Sequence, residues 1–238
     1  MAVEAVVPGG PAERAGVAQD DTIASVDGAP LPLASYDRRQ LTELLRAIGK
    51  SGAGGRLDIA VERGTVTHAF QIGTVPSCAA LVELRITPNL GAATDGDIIQ
   101  IDSGLFNLVA ADEEMLAAVI AHELAHIALD HPRRLDEAKV ARGLLGGFGR
   151  SGRLWRRTET EADLLSVYLL ANAGYDPGAA AALWERYGKR LNPFVTLPTH
   201  SGWRTRARGN AEEAAKVRTM KHRPAFPHWF ADRHQPLR

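Results

Sequence analysis

Residues 121–131 read "AHELAHIALDH" and contain the pattern H-E-x-x-H at His122, Glu123 and His126. The stretch lies inside "DEEMLAAVIAHELAHIALDH", where Met115, Leu116, Val119, Ile120 and Leu124 recur at helical spacing. Asp112 is placed as an N-cap, acidic residues fill the first turn, and Pro132 follows the expected end. On such a helix, residues i and i+4 stack on one face, so His122 and His126 can aim two imidazoles at one ion. Glu123 projects beside them, placed to take a proton from a metal-bound water. The alternative is a pair of buried histidines satisfied by hydrogen bonds, because two ligands and a base do not by themselves make a metal site.

A third ligand must come from elsewhere, and "ETEAD" (159–163) is the best candidate segment. Helical phase separates its two glutamates. Glu159, Asp163, Ser166, Val167 and Leu170 fall on one face, and Glu161, Leu165 and Tyr168 on another. Glu159 can then bind the ion while Asp163 orients a ligand histidine from behind. Glu161 reads as a solvated acid near the start of a helix, favoured by the helix dipole.

The rest of the 238-residue chain sets limits on this reading. Its 28 basic and 28 acidic side chains cancel, which argues against nucleic acid or an anionic membrane surface as the main partner. Apolar residues make up 45%, enough for a sizeable core. The single cysteine, Cys78, excludes an intrachain disulfide. No apolar run approaches the roughly 20 residues that span a bilayer. The start "MAVEAVVPGGPAERAG" has no signal-peptide pattern.

Two segments differ in character. In residues 1–77 short strand patterns alternate with Gly/Pro turns: "AVEAVV", "DTIASVDG", and "RLDIAVE" joined to "THAFQI" through the hairpin "RGTV". A helical stripe of Leu41, Leu44, Leu45 and Ile48 lies between them. The run "VVPGGPAERAGVAQDDTIASVDGAPL" resembles a PDZ domain of the HtrA type. That resemblance implies a peptide ligand added as a strand to a sheet edge, its terminal carboxylate captured by a loop. The chain starts at about the first strand of that family, so the domain is expected to be truncated at its N-terminus and the natural protein to be longer.

Residues 78–238 are expected to form the second domain, mainly helical with a small sheet: a strand in "DGDIIQIDSGLF" leading into the H-E-x-x-H helix, the Gly-rich loop 142–152, a helix from about Leu154 to Gly174, a third in "GAAAALWERYGKRL", a fourth in "RTRARGNAEEAAKVRTMK", and a Pro-rich tail over the surface. "HELAHIALDH", "ETEADLLSVYLLANAGYDP" and "LPTHSGWRTRAR", in that order, resemble the gluzincin metallopeptidase family of HtpX, the CAAX prenyl protease, BepA and the Oma-type protease. The resemblance implies an α+β fold, one Zn²⁺ on His122, His126 and Glu159, Glu123 as general base, and Asp163 behind the ligands. It implies an edge strand at Ile98, Ile99, Gln100 and Ile101 that pairs with substrate, and a protein or peptide substrate.

The family's T-H-P-S segment corresponds to Thr199, His200 and Ser201, with Gly202 and Trp203 in place of its continuation. By that likeness His200 either caps the metal in a latent state or helps at the oxyanion, and Arg206 orients the site or the carbonyl oxygen. His131 also matches a family position and reads as structural. His68, His222, His228 and His234 have no partners at ligand spacing and read as solvated. Family likeness points to the bacterial periplasm or cell envelope. The rival reading is a latent or non-catalytic assembly factor that works through the PDZ-like module.

Overall fold

The computed structural model describes residues 2–3, 5–31, 48–50, 52–75, 80–141, 147–191 and 201–237. The fold is α+β and falls into two compact units, Met1–Ala79 and Ala80–Arg238.

In the first unit, β1 (Thr22–Val26), β2 (Ala29–Pro30), β3 (Arg56–Arg63) and β4 (Val66–Gly73) form an antiparallel sheet in the order β2-β1-β3-β4. The period of two decides β3: Leu57, Ile59 and Val61 are buried while the residues between them are not. They pack with Val17, Val26 and Ile72 into a small core. The β3–β4 hairpin turns through Gly64 and Thr65, with Gly64 at φ +63°, as a two-residue connection demands. A short helix, α1 (Pro11–Ala15), opens on proline and ends at Gly16 (φ +102°). Arg63 binds both oxygens of the fully buried Asp21 at 2.7 and 2.8 Å and holds its carboxyl down at about 2. Most of the expected helix through Leu41, Leu44 and Leu45 lies outside the described residues.

The second unit carries a three-stranded sheet of β5 (Leu81–Arg85), β6 (Ala92–Thr94) and β7 (Ile98–Asp102), in the order β5-β7-β6. Strand β7 runs parallel to β5 and antiparallel to β6. This corrects the expectation for Ile98–Ile101. They form the central strand, with both backbone edges already paired, so they cannot accept a substrate strand. Among the described residues, the free edge beside the cleft is β6. Asp102 N–H donates to Gly91 O at 2.9 Å, which makes that opposed pair a hydrogen-bonded one. Alternation along an antiparallel ladder then turns the N–H and C=O of Ala92 and Thr94 away from β7.

Helices complete the unit: α2 (Ser103–Val109), α3 (Glu113–Ala128), α4 (His131–Glu137), α5 (Gly149–Ala173), α6 (Ala179–Leu191) and α7 (Trp203–Thr219), with a 3₁₀ turn at His228–Asp232. Here "SGLF" belongs to a separate short helix rather than to the turn before α3. Asp112 stands at the N-cap of α3, but its carboxylate takes an ion pair with Arg186 at 2.6 Å instead of capping. Pro132 lies past the end of the H-E-x-x-H helix as expected, but within a new one: α3 stops at Ala128, Asp130 turns left-handed (φ +52°), and Pro132 sits in the first turn of α4. Residues 149–152, expected in a loop, are the first turn of α5, and 142–146 lie outside the described residues.

The core gathers Ile99, Ile101, Val119, Leu129, Leu165, Leu170 and Val217. Each fully buried aliphatic side chain contributes about 1.5–3 kcal/mol. The tail is clasped rather than merely laid on the surface, because Asn172 exchanges two 2.8 Å hydrogen bonds with the backbone of Ala225 and Leu237 is buried. Among the described residues no helix is long and apolar enough to cross a membrane.

Candidate metal centre

Helix α3 presents His122 and His126 one turn apart, and α5 crosses it so that Glu159 faces both. The two Nε2 atoms are 3.3 Å apart. Glu159 Oε2 lies 3.5 Å from His122 Nε2, and Glu159 Oε1 lies 3.6 Å from His126 Nε2. These separations carry a test of fit. Nitrogen and oxygen ligands at about 2.0–2.2 Å from a tetrahedral ion lie about 3.3–3.6 Å from one another. Each of these separations has that size, the two to Glu159 being to its two different oxygens. Taking one atom per residue, the ligand atoms all lie within 4.8 Å of one another, and the chemistry, two imidazoles and a carboxylate, suits Zn²⁺.

Behind the triangle, Asp163 and Arg206 form a buried pair. Arg206 donates from Nε to Asp163 Oδ2 at 2.6 Å and from Nη2 to Oδ1 at 2.7 Å, and its guanidinium lies 3.9 Å from the Trp184 ring. Asp163 Oδ1 is 3.2 Å from His122 Nδ1, close but off the line of a hydrogen bond, so that buried nitrogen is otherwise unpartnered. Arg206 is 6% exposed, and besides its two short bonds to Asp163 its Nη2 lies 3.5 Å from Glu159 Oε2 and from His122 Nε2.

Electrostatics follow from burial. Desolvation pushes the Glu123 carboxyl up to about 7, against the pull of His122. Burial opposes charge on His122, yet Asp163 and Glu159 outweigh it and raise that imidazole to about 10, whereas burial takes His126 down to about 3. Asp163 and Glu159 are held ionised below their usual range: burial works against the charge, and Arg206 and the histidines overcome it.

A cleft of about 900 Å³ opens over these groups, bounded by Ala92, Ala93 and Thr94 of β6 on one side and by Trp155, Leu183 and Trp184 on others. Glu123 lines it. His200 and Thr199 lie outside the described residues. His222, His228 and His234 are exposed, but His68 is half-buried and stacked on Phe70.

Glu161 overturns its sequence reading. It is neither at a helix start nor solvated: it sits twelve residues into α5, at position 161 against 149, and contacts His131, Arg134 and Arg157. These partners bring its carboxyl down to about 2, against a desolvation cost. His131 is buried completely, between Glu161 and His126. Besides the family position that His131 matches, the sequence signals this cluster only through the H-P pair directly after the helix, which marks a restart as readily as a stop.

Residues 2–63 match the family model described as PDZ domain, and residues 89–149 match that of Peptidase family M48. The mitochondrial metalloendopeptidase OMA1 of Schizosaccharomyces pombe is 31% identical over 144 residues, covering 51% of this chain and 42% of its own length. The chain thus spans less than half the length of the curated relative it matches. No solved structure matches it.

Proposed function

We propose that the chain is a zinc-dependent endopeptidase acting on extended segments of protein substrates, a reading supported by the match of residues 2–63 to the PDZ domain model and of residues 89–149 to the Peptidase family M48 model. One observation carries the reading: His122 Nε2 and His126 Nε2 lie 3.3 Å apart, and each is 3.5 or 3.6 Å from one of the two Glu159 carboxylate oxygens, beneath an open cleft.

In this proposal His122, His126 and Glu159 hold the ion. Bound zinc would supply a Lewis acid that polarises the scissile carbonyl and acidifies a water. Glu123, next to the triangle and facing the cleft, takes a proton from that water on its carboxylate and returns it to the leaving amine nitrogen. A cation beside it favours the ionised form, so the carboxylate works as a base around neutral pH. Asp163, clamped by Arg206, which itself stacks on Trp184, keeps His122 turned toward the site. The substrate backbone adds to β6, meeting the outward N–H and C=O of Ala92 and Thr94, which supply orientation without demanding particular side chains. The PDZ domain supplies a second place for peptide to dock.

Digestion of an unfolded protein such as casein by the full chain, with Glu123→Gln alongside, tests the proposal. Cleavage that requires added zinc and disappears in Glu123→Gln supports it. Undiminished cleavage by Glu123→Gln, or none by a zinc-loaded wild type, counts against it.

A further inference from the structure

On a continuous helix, residue 131 would stand about 140° around the axis from residue 126 and point away from the site. The chain breaks instead. After Ala128 the left-handed Asp130 reverses the path, and α4 restarts at His131. The turn folds the His131 ring back against His126, with centroids 4.9 Å apart and planes at 74°, and the two Nδ1 atoms 3.0 Å apart. On its far side, His131 Nε2 is 3.2 Å from Glu161 Oε2.

That geometry fixes every proton along the line. If His126 turns the Nε2 lone pair toward the ligand triangle, its proton sits on Nδ1 and is donated to His131 Nδ1. His131 then accepts at Nδ1, carries its own proton on Nε2, and donates it to Glu161. Glu161 must be an acceptor, and two cations make it one: Arg157 Nε donates to Oε1 at 2.7 Å, and Arg134 Nη1 to Oε2 at 3.3 Å. Arg134 is 3% exposed and also donates to the backbone oxygens of Leu129 and Gln235. Reversing one ring alone would set two N–H groups, or two lone pairs, against each other at 3.0 Å, and reversing both would turn the His131 Nε2 lone pair on the Glu161 carboxylate at 3.2 Å.

We propose that His131 is a positioning residue for the metal site, an imidazole that holds His126 in the ligating tautomer and orientation and is itself set by Glu161, Arg134 and Arg157. The site then has two supports of the same plan, each ending in a carboxylate held by arginine: Asp163 and Arg206 behind His122, and His131, Glu161 and its two arginines behind His126. The inference rests on the metal reading of His122, His126 and Glu159.

The test compares two substitutions whose effects on fold and on metal run in opposite orders. His131→Leu fills the space but removes the acceptor. His131→Asn leaves a gap but keeps an acceptor oxygen, Oδ1, near the position of Nδ1. Zinc affinity of the full chain is read by competition with a chromophoric chelator, and stability of the zinc-free protein by urea unfolding. The expected result is a loss of zinc affinity of about 10- to 100-fold in His131→Leu, with His131→Asn within about threefold of wild type although less stable. A zinc affinity unchanged in His131→Leu, or falling in step with stability across both variants, overturns the proposal. Should His131→Leu fail to fold, Glu161→Gln serves: a loss of about three- to tenfold supports the chain of bonds, and no change refutes it. A wild type that takes up no zinc would overturn both this and the peptidase reading, whereas tight binding retained in His131→Leu overturns this one alone.

Discussion

Replacing Arg206 with methionine keeps most of its volume under Trp184 but strips the charge from a group 6% exposed. Two short bonds to Asp163, at 2.6 and 2.7 Å, are lost, and a third contact, 3.5 Å to Glu159, goes with them. Charge-assisted bonds contribute about 1.5–3 kcal/mol each, and stripping one partner from a buried pair costs about 3–5 kcal/mol because the other charge stays buried. His122, 3.2 Å from Asp163, compensates in part, so the lower half of that range, about 3–4 kcal/mol, is expected. At a slope of about 2 kcal/mol per molar urea, the midpoint falls by about 1.5–2 M.

All four tryptophans, at 155, 184, 203 and 229, lie in the second unit, so their fluorescence in zinc-free buffer follows that unit alone. The double variant Asp163→Leu with Arg206→Met removes both charges and is expected to lose at least about 2 kcal/mol less than the sum of the single losses. A single-variant cost below about 1 kcal/mol, or strict additivity in the double, would refute the account of this pair.

Three further outcomes follow. Ala92→Pro removes one outward N–H from β6 where proline is tolerated at an edge; kcat/KM on a peptide should fall about five- to tenfold, the value of one hydrogen bond, with zinc content unchanged, and unaltered kcat/KM would show that substrate does not pair there. Gly104→Ala would bring a Cβ within 2.3 Å of Pro88 O and 2.5 Å of Asn89 O; a loss of about 1–3 kcal/mol, seen as roughly 2–4 °C in Tm per kcal/mol, is expected, and an unchanged Tm would contradict that packing. Asp21 has a folded pKa near 2, below its unfolded value of about 3.9, so its contribution is present above pH 4 and lost as pH falls toward 2; hydrogen-exchange protection in β1 and β3, corrected for the intrinsic rate at each pH, should fall over that window more in the wild type than in Asp21→Asn, and parallel profiles would contradict it.

The site's two halves differ in how far the sequence discloses them. His122, His126, Glu159 and Asp163 are legible because each pair sits four residues apart on an unbroken helix, where phase is arithmetic. Strand β7 misleads for a readable reason: "IIQID" is almost uniformly buried, the mark of an interior strand, and the small residues "AAT" before it are the ones that lie at the edge. His131 and Glu161 could not be found by phase at all. Their meeting depends on a single left-handed residue, Asp130, and a helical continuation through Pro132 would send His131 the other way. Arg206 lies on a helix with little amphipathic pattern, and its depth is set by what α3, α5 and Trp184 stack around it.

Zinc content bears most directly on the central claim. The full chain, loaded with Zn²⁺ and then dialysed, is measured for bound metal in the wild type, Glu123→Gln and Glu159→Ala. The account predicts one zinc per chain in the first two and a loss of at least tenfold in occupancy or affinity in the third. Undiminished zinc in Glu159→Ala, or zinc lost with Glu123→Gln, would contradict it.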